Sequence, residues 1–159
     1  MENTNAANLT ERYCALLVGI LFLVVGIAGF IPAFVSLSGT NVPNIPATET
    51  NSAYALGYGY VFGLFPINLL HNIVHCAVGL LGIASYSSLS SARVFNRSFA
   101  VAYALLAIMG LLPFARTTFG LMPIFGNNVW FNALTALATG YYGIIVPAKV
   151  KGTNLREQL

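Results

Sequence analysis

The chain has no aspartate, and its acids are only Glu2, Glu11, Glu49 and Glu157. Charged residues make up 7% of the 159 positions, against about 25% in a soluble globular domain, so most of this chain cannot face water. All four glutamates lie outside the long apolar runs. Within those runs there is no acid to pair with a histidine or to carry protons and cations. Gly-x-Ser-x-Gly, His-Glu-x-x-His and the phosphate-binding glycine loop are also missing, and the expectation is a protein that is not an enzyme. The few basic residues form no patch that would track nucleic acid. Only two cysteines occur. Cys14 opens the first apolar run and Cys76 sits midway along the second, so their depths do not match for a disulfide, and both read as small buried hydrophobes.

What the chain has in abundance is apolar sequence, at 57% of positions with a mean hydropathy of +0.77. Four runs stand out: Tyr13–Val35, Ile67–Tyr86, Phe99–Ala115 and Val129–Val146. A bilayer core of about 30 Å needs roughly 17–25 apolar residues in a helix. Backbone groups in lipid must be satisfied within the segment, which selects helices over isolated strands. The first run, with small Ser36 and Ser38 behind it, also resembles a signal sequence. It is longer than the about 7–15 apolar residues of such a segment, and a retained helix is expected. The fold class expected is therefore an all-α membrane protein with four transmembrane helices, in one domain over residues 1–159.

Basic residues set the orientation. Arg12, Arg93, Arg97, Lys149, Lys151 and Arg156 fall in the N-terminal segment, the middle loop and the C-terminal tail, while Arg116 alone falls on the other side. Both termini are expected in the cytoplasm, with the 36–66 segment and the 116–128 loop outside.

An internal repeat organises the chain. Phe62-Gly63-Leu64-Phe65-Pro66-Ile67 matches Phe119-Gly120-Leu121-Met122-Pro123-Ile124 at five of six positions, 57 residues on. Gly26-Ile27-Ala28-Gly29-Phe30-Ile31-Pro32 resembles Ala107-Ile108-Met109-Gly110-Leu111-Leu112-Pro113, 81 residues on. Two parallel helical hairpins are expected, repeat one over 13–86 and repeat two over 99–146, related by an axis along the membrane normal. The extra length of the first copy lies in its outer loop. Ser36–Ser52, with Pro43 and Pro46, reads as irregular. Tyr54, Tyr58, Tyr60, Phe62 and Phe65 follow among glycines. They read as an aromatic belt at the membrane surface or as a docking surface for a partner subunit.

Gly63-Leu64-Phe65-Pro66-Ile67-Asn68, then Leu70-His71-Asn72-Ile73-Val74-His75 and Gly79, resemble the signature of an uncharacterised bacterial four-helix membrane family known only as a domain of unknown function. The likeness runs from Tyr13 to about Ile145, and the Leu-His-Asn-x-x-His segment is its most specific part. The family's second half usually offers an acid, a Trp and a His. This chain departs from that pattern with Asn128-Val129-Trp130-Phe131-Asn132, so a role resting on the second-half His does not carry over. The resemblance implies the four-helix membrane fold and no activity.

His71 and His75, four apart, share a helix face, and Asn68 and Asn72 extend that stripe. The 57-residue offset sets His71 and His75 against Asn128 and Asn132, which predicts a buried polar cluster toward the outer side. Three roles compete for it. The first is interhelical hydrogen bonding that joins the hairpins. The second is a tetrapyrrole site, chlorophyll or haem, on His71 or His75 with Gly79 and Gly82 making room for the ring. Two histidines without a carboxylate or thiolate do not complete a metal site. The third is a permeation path. Gly19, Gly26 and Gly29 in the first run, with Gly79 and Gly82, also suit close helix approach.

The expectation drawn from these readings is a non-catalytic accessory or assembly subunit in the bacterial inner membrane or the thylakoid. It would sit in lipid and touch other membrane subunits through helix and loop contacts. A tetrapyrrole carrier of a photosynthetic complex is the alternative, and a small transporter or channel the third.

Overall fold

The computed structural model describes residues 2–37 and 52–147. Lys149, Lys151, Arg156, Glu157, Glu49 and the proline-bearing loop lie outside the described residues. Four long helices dominate: α1 (Glu2–Ala28), α3 (Leu69–Ser85), α4 (Leu89–Leu111) and α5 (Asn127–Gly140), the last continued by a π-helical stretch over Tyr141–Ile145. A short helix α2 (Ser52–Ala55) and three short strands, β1 (Val35–Ser36), β2 (Gly59–Val61) and β3 (Phe65–Ile67), complete the described elements. Two helical segments, Asn5–Ala28 and Leu89–Leu111, are long and apolar enough to cross a membrane, and Leu69–Ser85 is apolar but shorter.

The helix boundaries move from the sequence expectation for local reasons. The first helix starts at Glu2 and stops at Ala28, seven residues short of Val35. Phe30 N–H bonds back to Ile27 at 3.0 Å, and Pro32, which cannot continue a helix, opens a 3₁₀ turn to Phe34. The third helix begins at Leu89 instead of Phe99, because Ser88 caps it by accepting from Ser91 N–H at 3.0 Å. Arg93 and Arg97 are therefore helical residues, and the middle loop shrinks to Tyr86–Ser88. Asn68 caps α3 by accepting from His71 N–H at 2.9 Å, which leaves Ile67 in a strand.

The aromatic segment departs most from expectation. Here β1, β2 and β3 form an antiparallel sheet in that order, with Val35 opposite Val61 and Tyr60 opposite Pro66. Tyr54, Tyr58 and Tyr60 turn inward as a buried cluster, with the Tyr58 and Tyr60 hydroxyls 3.2 Å apart. A belt of surface tyrosines is thus overturned at these three positions. Burial of the rings and the sharing of hydroxyl hydrogen bonds outweigh the interfacial preference.

Helix α1 packs chiefly on α3, and α4 on α5. The first pair meets backbone to backbone: a β-carbon on Gly19 would lie 2.6 Å from Ile83 N, and one on Gly82 would lie 2.6 Å from Gly19 Cα. Small residues permit this approach. Phe22, fully buried, fills the centre and meets Tyr103 and Phe131 edge-on or tilted at 5.1 Å.

The two halves carry the same local geometry at equivalent positions. Phe62 and Gly63 have φ of 55° and 68°, and Phe119 and Gly120, 57 residues later, have 57° and 86°. Left-handed backbone is rare outside glycine, and here it falls on a phenylalanine in both copies. Gly63 N–H bonds to Tyr60 O and Gly120 N–H to Thr117 O, each at 3.1 Å. Gly29 sits against the Asn72 side chain, and Gly110 against Val129, the same pairing under the 81- and 57-residue offsets.

Candidate functional site

The polar residues singled out by sequence gather at the end of the bundle that carries the two Phe-Gly turns. Asn68, His71, Asn72, His75, Asn128 and Asn132 are all buried. An asparagine in such a place has two N–H donors and a carbonyl acceptor to satisfy; the amide donors find backbone carbonyls, while Asn72 Oδ1 is left without a partner. Asn68 Nδ2 donates to Leu121 O at 2.7 Å and to Tyr54 O at 3.2 Å. Asn72 Nδ2 donates to Gly29 O at 2.8 Å, joining α3 to the end of α1. Asn128 Nδ2 donates to Pro66 O at 2.7 Å and Pro123 O at 2.9 Å.

Two of these bonds, Asn68 to Leu121 and Asn128 to Pro66, cross between the halves. The Leu64 carbonyl receives Asn127 Nδ2 at 3.1 Å, and the equivalent Leu121 carbonyl receives Asn68 Nδ2. Each Phe-Gly-Leu turn is thus stitched by an asparagine from the other half. The expected exchange between imidazoles and asparagines is corrected in its partners: the asparagines bind carbonyls, which present fixed acceptors where the chain leaves helical geometry.

The two histidines meet each other instead. His71 Nε2 and His75 Nε2 lie 3.0 Å apart, with the residues 6% and 4% exposed. One ring donates and the other accepts, which requires different tautomers on the two neutral rings. His75 Nδ1 has no hydrogen-bond partner, and the Pro123 backbone is a polar neighbour of His71. Phe22 meets His75 edge-on with centroids 4.9 Å apart, and Phe131 lies at 6.3 Å. The pair is a polar contact inside an aromatic box.

That arrangement does not fit a tetrapyrrole. An axial ligand must present a ring nitrogen to an open, flat space, whereas these Nε2 atoms face one another. The expected room at Gly79 and Gly82 is filled by α1: a β-carbon on Gly79 would lie 2.5 Å from Leu23 N, and Gly82 faces Gly19 and the Ala15 carbonyl. Among the described residues, no three His, Cys, Asp or Glu side chains come together as a metal site. Cys14 and Cys76 are free, and Cys76 packs against Gly26.

Sequence reasoning missed a second polar layer at the opposite end. Glu11, placed outside the apolar runs by sequence, is fully buried inside α1. Arg93 on α4 grips it through Nε at 2.6 Å and Nη2 at 3.0 Å, a bidentate pair. Asn96 Nδ2 donates to the Glu11 backbone carbonyl at 2.9 Å. Arg12 Nε donates to Tyr86 O at 2.7 Å while stacking on the Tyr86 ring, and Arg97 Nε donates to Gly143 O at 2.8 Å. Tyr86 and Gly143 are 57 apart, so each hairpin closes with an arginine on the same carbonyl. A signal existed in the spacing: Glu11, Ala15, Gly19, Phe22 and Gly26 follow one helix face, the one later found packed.

A family model described as a domain of unknown function (DUF4383) matches residues 12–145. No curated protein and no solved structure matches the chain.

Proposed function

The chain belongs to the DUF4383 family of unknown function, and from that premise and the bundle's geometry we propose that it is a four-span membrane protein serving as a non-catalytic subunit of a larger membrane complex. Both termini lie on the cytoplasmic side, in a bacterial inner membrane or thylakoid. The observation that carries this reading is the inside-out division of polarity. Asn68, Asn72 and Asn128 spend their donors on the bundle's own backbone, whereas Leu17, Val101, Leu105, Leu134 and Leu137 stand exposed along the helices. An apolar exterior of this extent suits lipid and partner helices. The clustering of Arg12, Arg93 and Arg97 at one end, with Arg116 at the other, supports the orientation through the positive-inside rule.

A pathway for ions draws little support, because the one buried carboxylate among the described residues is held by Arg93. The pigment reading loses its ring space, as described above. Purification from the native membrane in a mild detergent tests the proposal. Stoichiometric membrane partners are expected with a colourless protein. A homogeneous preparation without partners overturns the subunit role, and a visible absorption band lost in His71→Ala/His75→Ala restores the pigment alternative.

A further inference from the structure

Helices α1 and α4 are long enough in total to cross a membrane, but the part of each beyond the arginine layer is shorter than the hydrocarbon core. From Arg12 to Ala28, where α1 ends, the rise is about 24 Å, and from Arg93, which pairs with Glu11 beside Arg12, to Leu111, where α4 ends, about 27 Å at roughly 1.5 Å per residue. Helix α3 has 17 residues, which gives about 25 Å on the same rise. A hydrocarbon core is about 30 Å thick. The arginine layer fixes one boundary, so the missing thickness falls at the end carrying the Phe-Gly turns.

What occupies that end is apolar and non-helical. Phe34, Phe62, Leu64, Phe114, Phe119 and Leu121 are all exposed there, and they continue the exposed apolar faces of α1, α4 and α5. Irregular backbone is tolerated at membrane depth only where its polar groups are satisfied by protein. Here the turn carbonyls of Leu64 and Leu121 receive Asn127 and Asn68 from the opposite half, and the turns close internally through Gly63 N–H to Tyr60 O and Gly120 N–H to Thr117 O.

We infer that the two Phe-Gly-Leu turns, 62–64 and 119–121, are embedded in the outer leaflet and complete the hydrophobic thickness, their exposed side chains lying against lipid acyl chains near the glycerol level. The inference rests on the four-span reading and adds a lipid contact to segments that would otherwise pass as aqueous loops. The sequence-matched pair of turns acts as two anchors, one per hairpin, that set how deep the bundle sits.

The lone tryptophan, Trp130, makes a fluorescence test direct. In a Trp130→Phe background, Phe62→Trp, Phe119→Trp, Leu64→Trp or Leu121→Trp is reconstituted singly into phosphatidylcholine bilayers carrying bromine at defined acyl depths. Leu105→Trp, in the second half of α4 and exposed, serves as the reference. Quenching of the turn probes by shallow acyl bromines, at least threefold above their quenching by aqueous iodide, is expected. Leu64 and Leu121 lie on ordinary backbone, so those variants keep the test alive if substitution at the left-handed phenylalanines impairs folding. Iodide quenching of the turn probes while Leu105→Trp responds to deep bromines overturns the inference alone. Failure of Leu105→Trp to respond to any acyl bromine overturns the four-span reading, and the inference with it.

Discussion

Glu11 on α1 and Arg93 on α4 form a two-point ion pair, with contacts of 2.6 and 3.0 Å, that ties the first hairpin to the second. The carboxylate is fully enclosed, and the arginine side chain is 32% exposed. Removing the cation leaves a buried charge without its partner, which costs more than removing both. Arg93→Gln is expected to destabilise the bundle by about 2 kcal/mol, below the about 3–5 kcal/mol of a fully enclosed pair. Glu11→Gln/Arg93→Gln is expected to recover at least half of that loss. Equilibrium unfolding in mixed micelles reads both values, and a double variant as unstable as Arg93→Gln contradicts the account.

The glycine seam between α1 and α3 predicts a position-specific sensitivity. Gly19→Ala places a β-carbon against the Ile83 and Gly82 backbone, which cannot swing aside as a side chain would. The expected loss is about 1–3 kcal/mol from overpacking. Gly140→Ala meets only Ala100 Cβ at an ordinary 3.5 Å, and the gain in helix propensity makes it neutral or stabilising by up to about 1 kcal/mol. Thermal scanning of the two variants side by side checks the contrast. Equal losses at both sites would show that the seam is not where the helices are closest.

Much of this architecture is legible in the order of residues. The apolar runs announce the four helices because hydrophobic length survives any choice of packing partner, and the repeated Phe-Gly-Leu-x-Pro-Ile announces matching turns. The burial of His71, His75, Asn128 and Asn132 follows from their helical phase. Helix ends were less legible, since Ser88 and Asn68 act through local capping that hydropathy does not register. Glu11 was misplaced for the same reason: a charge beside an apolar run reads as its boundary, whereas its burial depends on an arginine 82 residues away. The tyrosines of 54–60 read in sequence as a surface belt or a docking surface because their cover is supplied by one another and by a sheet of two- and three-residue strands, too short to leave a periodic trace.

The imidazole pair invites a double-mutant cycle. Replacing one histidine strips the other of its hydrogen-bond partner at Nε2 and leaves a buried polar ring, which carries a desolvation cost of about 1–3 kcal/mol. Replacing both with apolar groups of similar shape removes polar atoms and need together. His71→Leu and His75→Leu are therefore each expected to destabilise by about 1–3 kcal/mol, with the double variant at least 1 kcal/mol less destabilised than their sum, about fivefold in the folding equilibrium. Strict additivity in chemical unfolding would mean the rings do not interact.

The tyrosine cluster predicts a limit at alkaline pH. Burial, followed by the Tyr60 hydroxyl contact, raises the Tyr58 phenol above its ordinary value of 10.0. A raised value in the folded protein means that the unfolded chain loses the proton first, so stability is full below pH 10 and falls as pH rises beyond it. Melting temperatures across pH 8–11.5 should decline above 10, and Tyr58→Phe should flatten that decline. A variant with an unchanged alkaline slope would place the titration elsewhere.

The crossed asparagine contacts bear on how the protein comes into being. A ribosome delivers residues 1–86 before the second hairpin exists, and at that moment the Leu64 carbonyl lacks Asn127 and the Asn68 amide lacks Leu121. In the membrane setting proposed above an open polar group costs several kcal/mol, so the first hairpin is an unfinished object awaiting its sibling. A chain truncated after Ser88 lacks both of these partners, and the finished chain closes both halves at once.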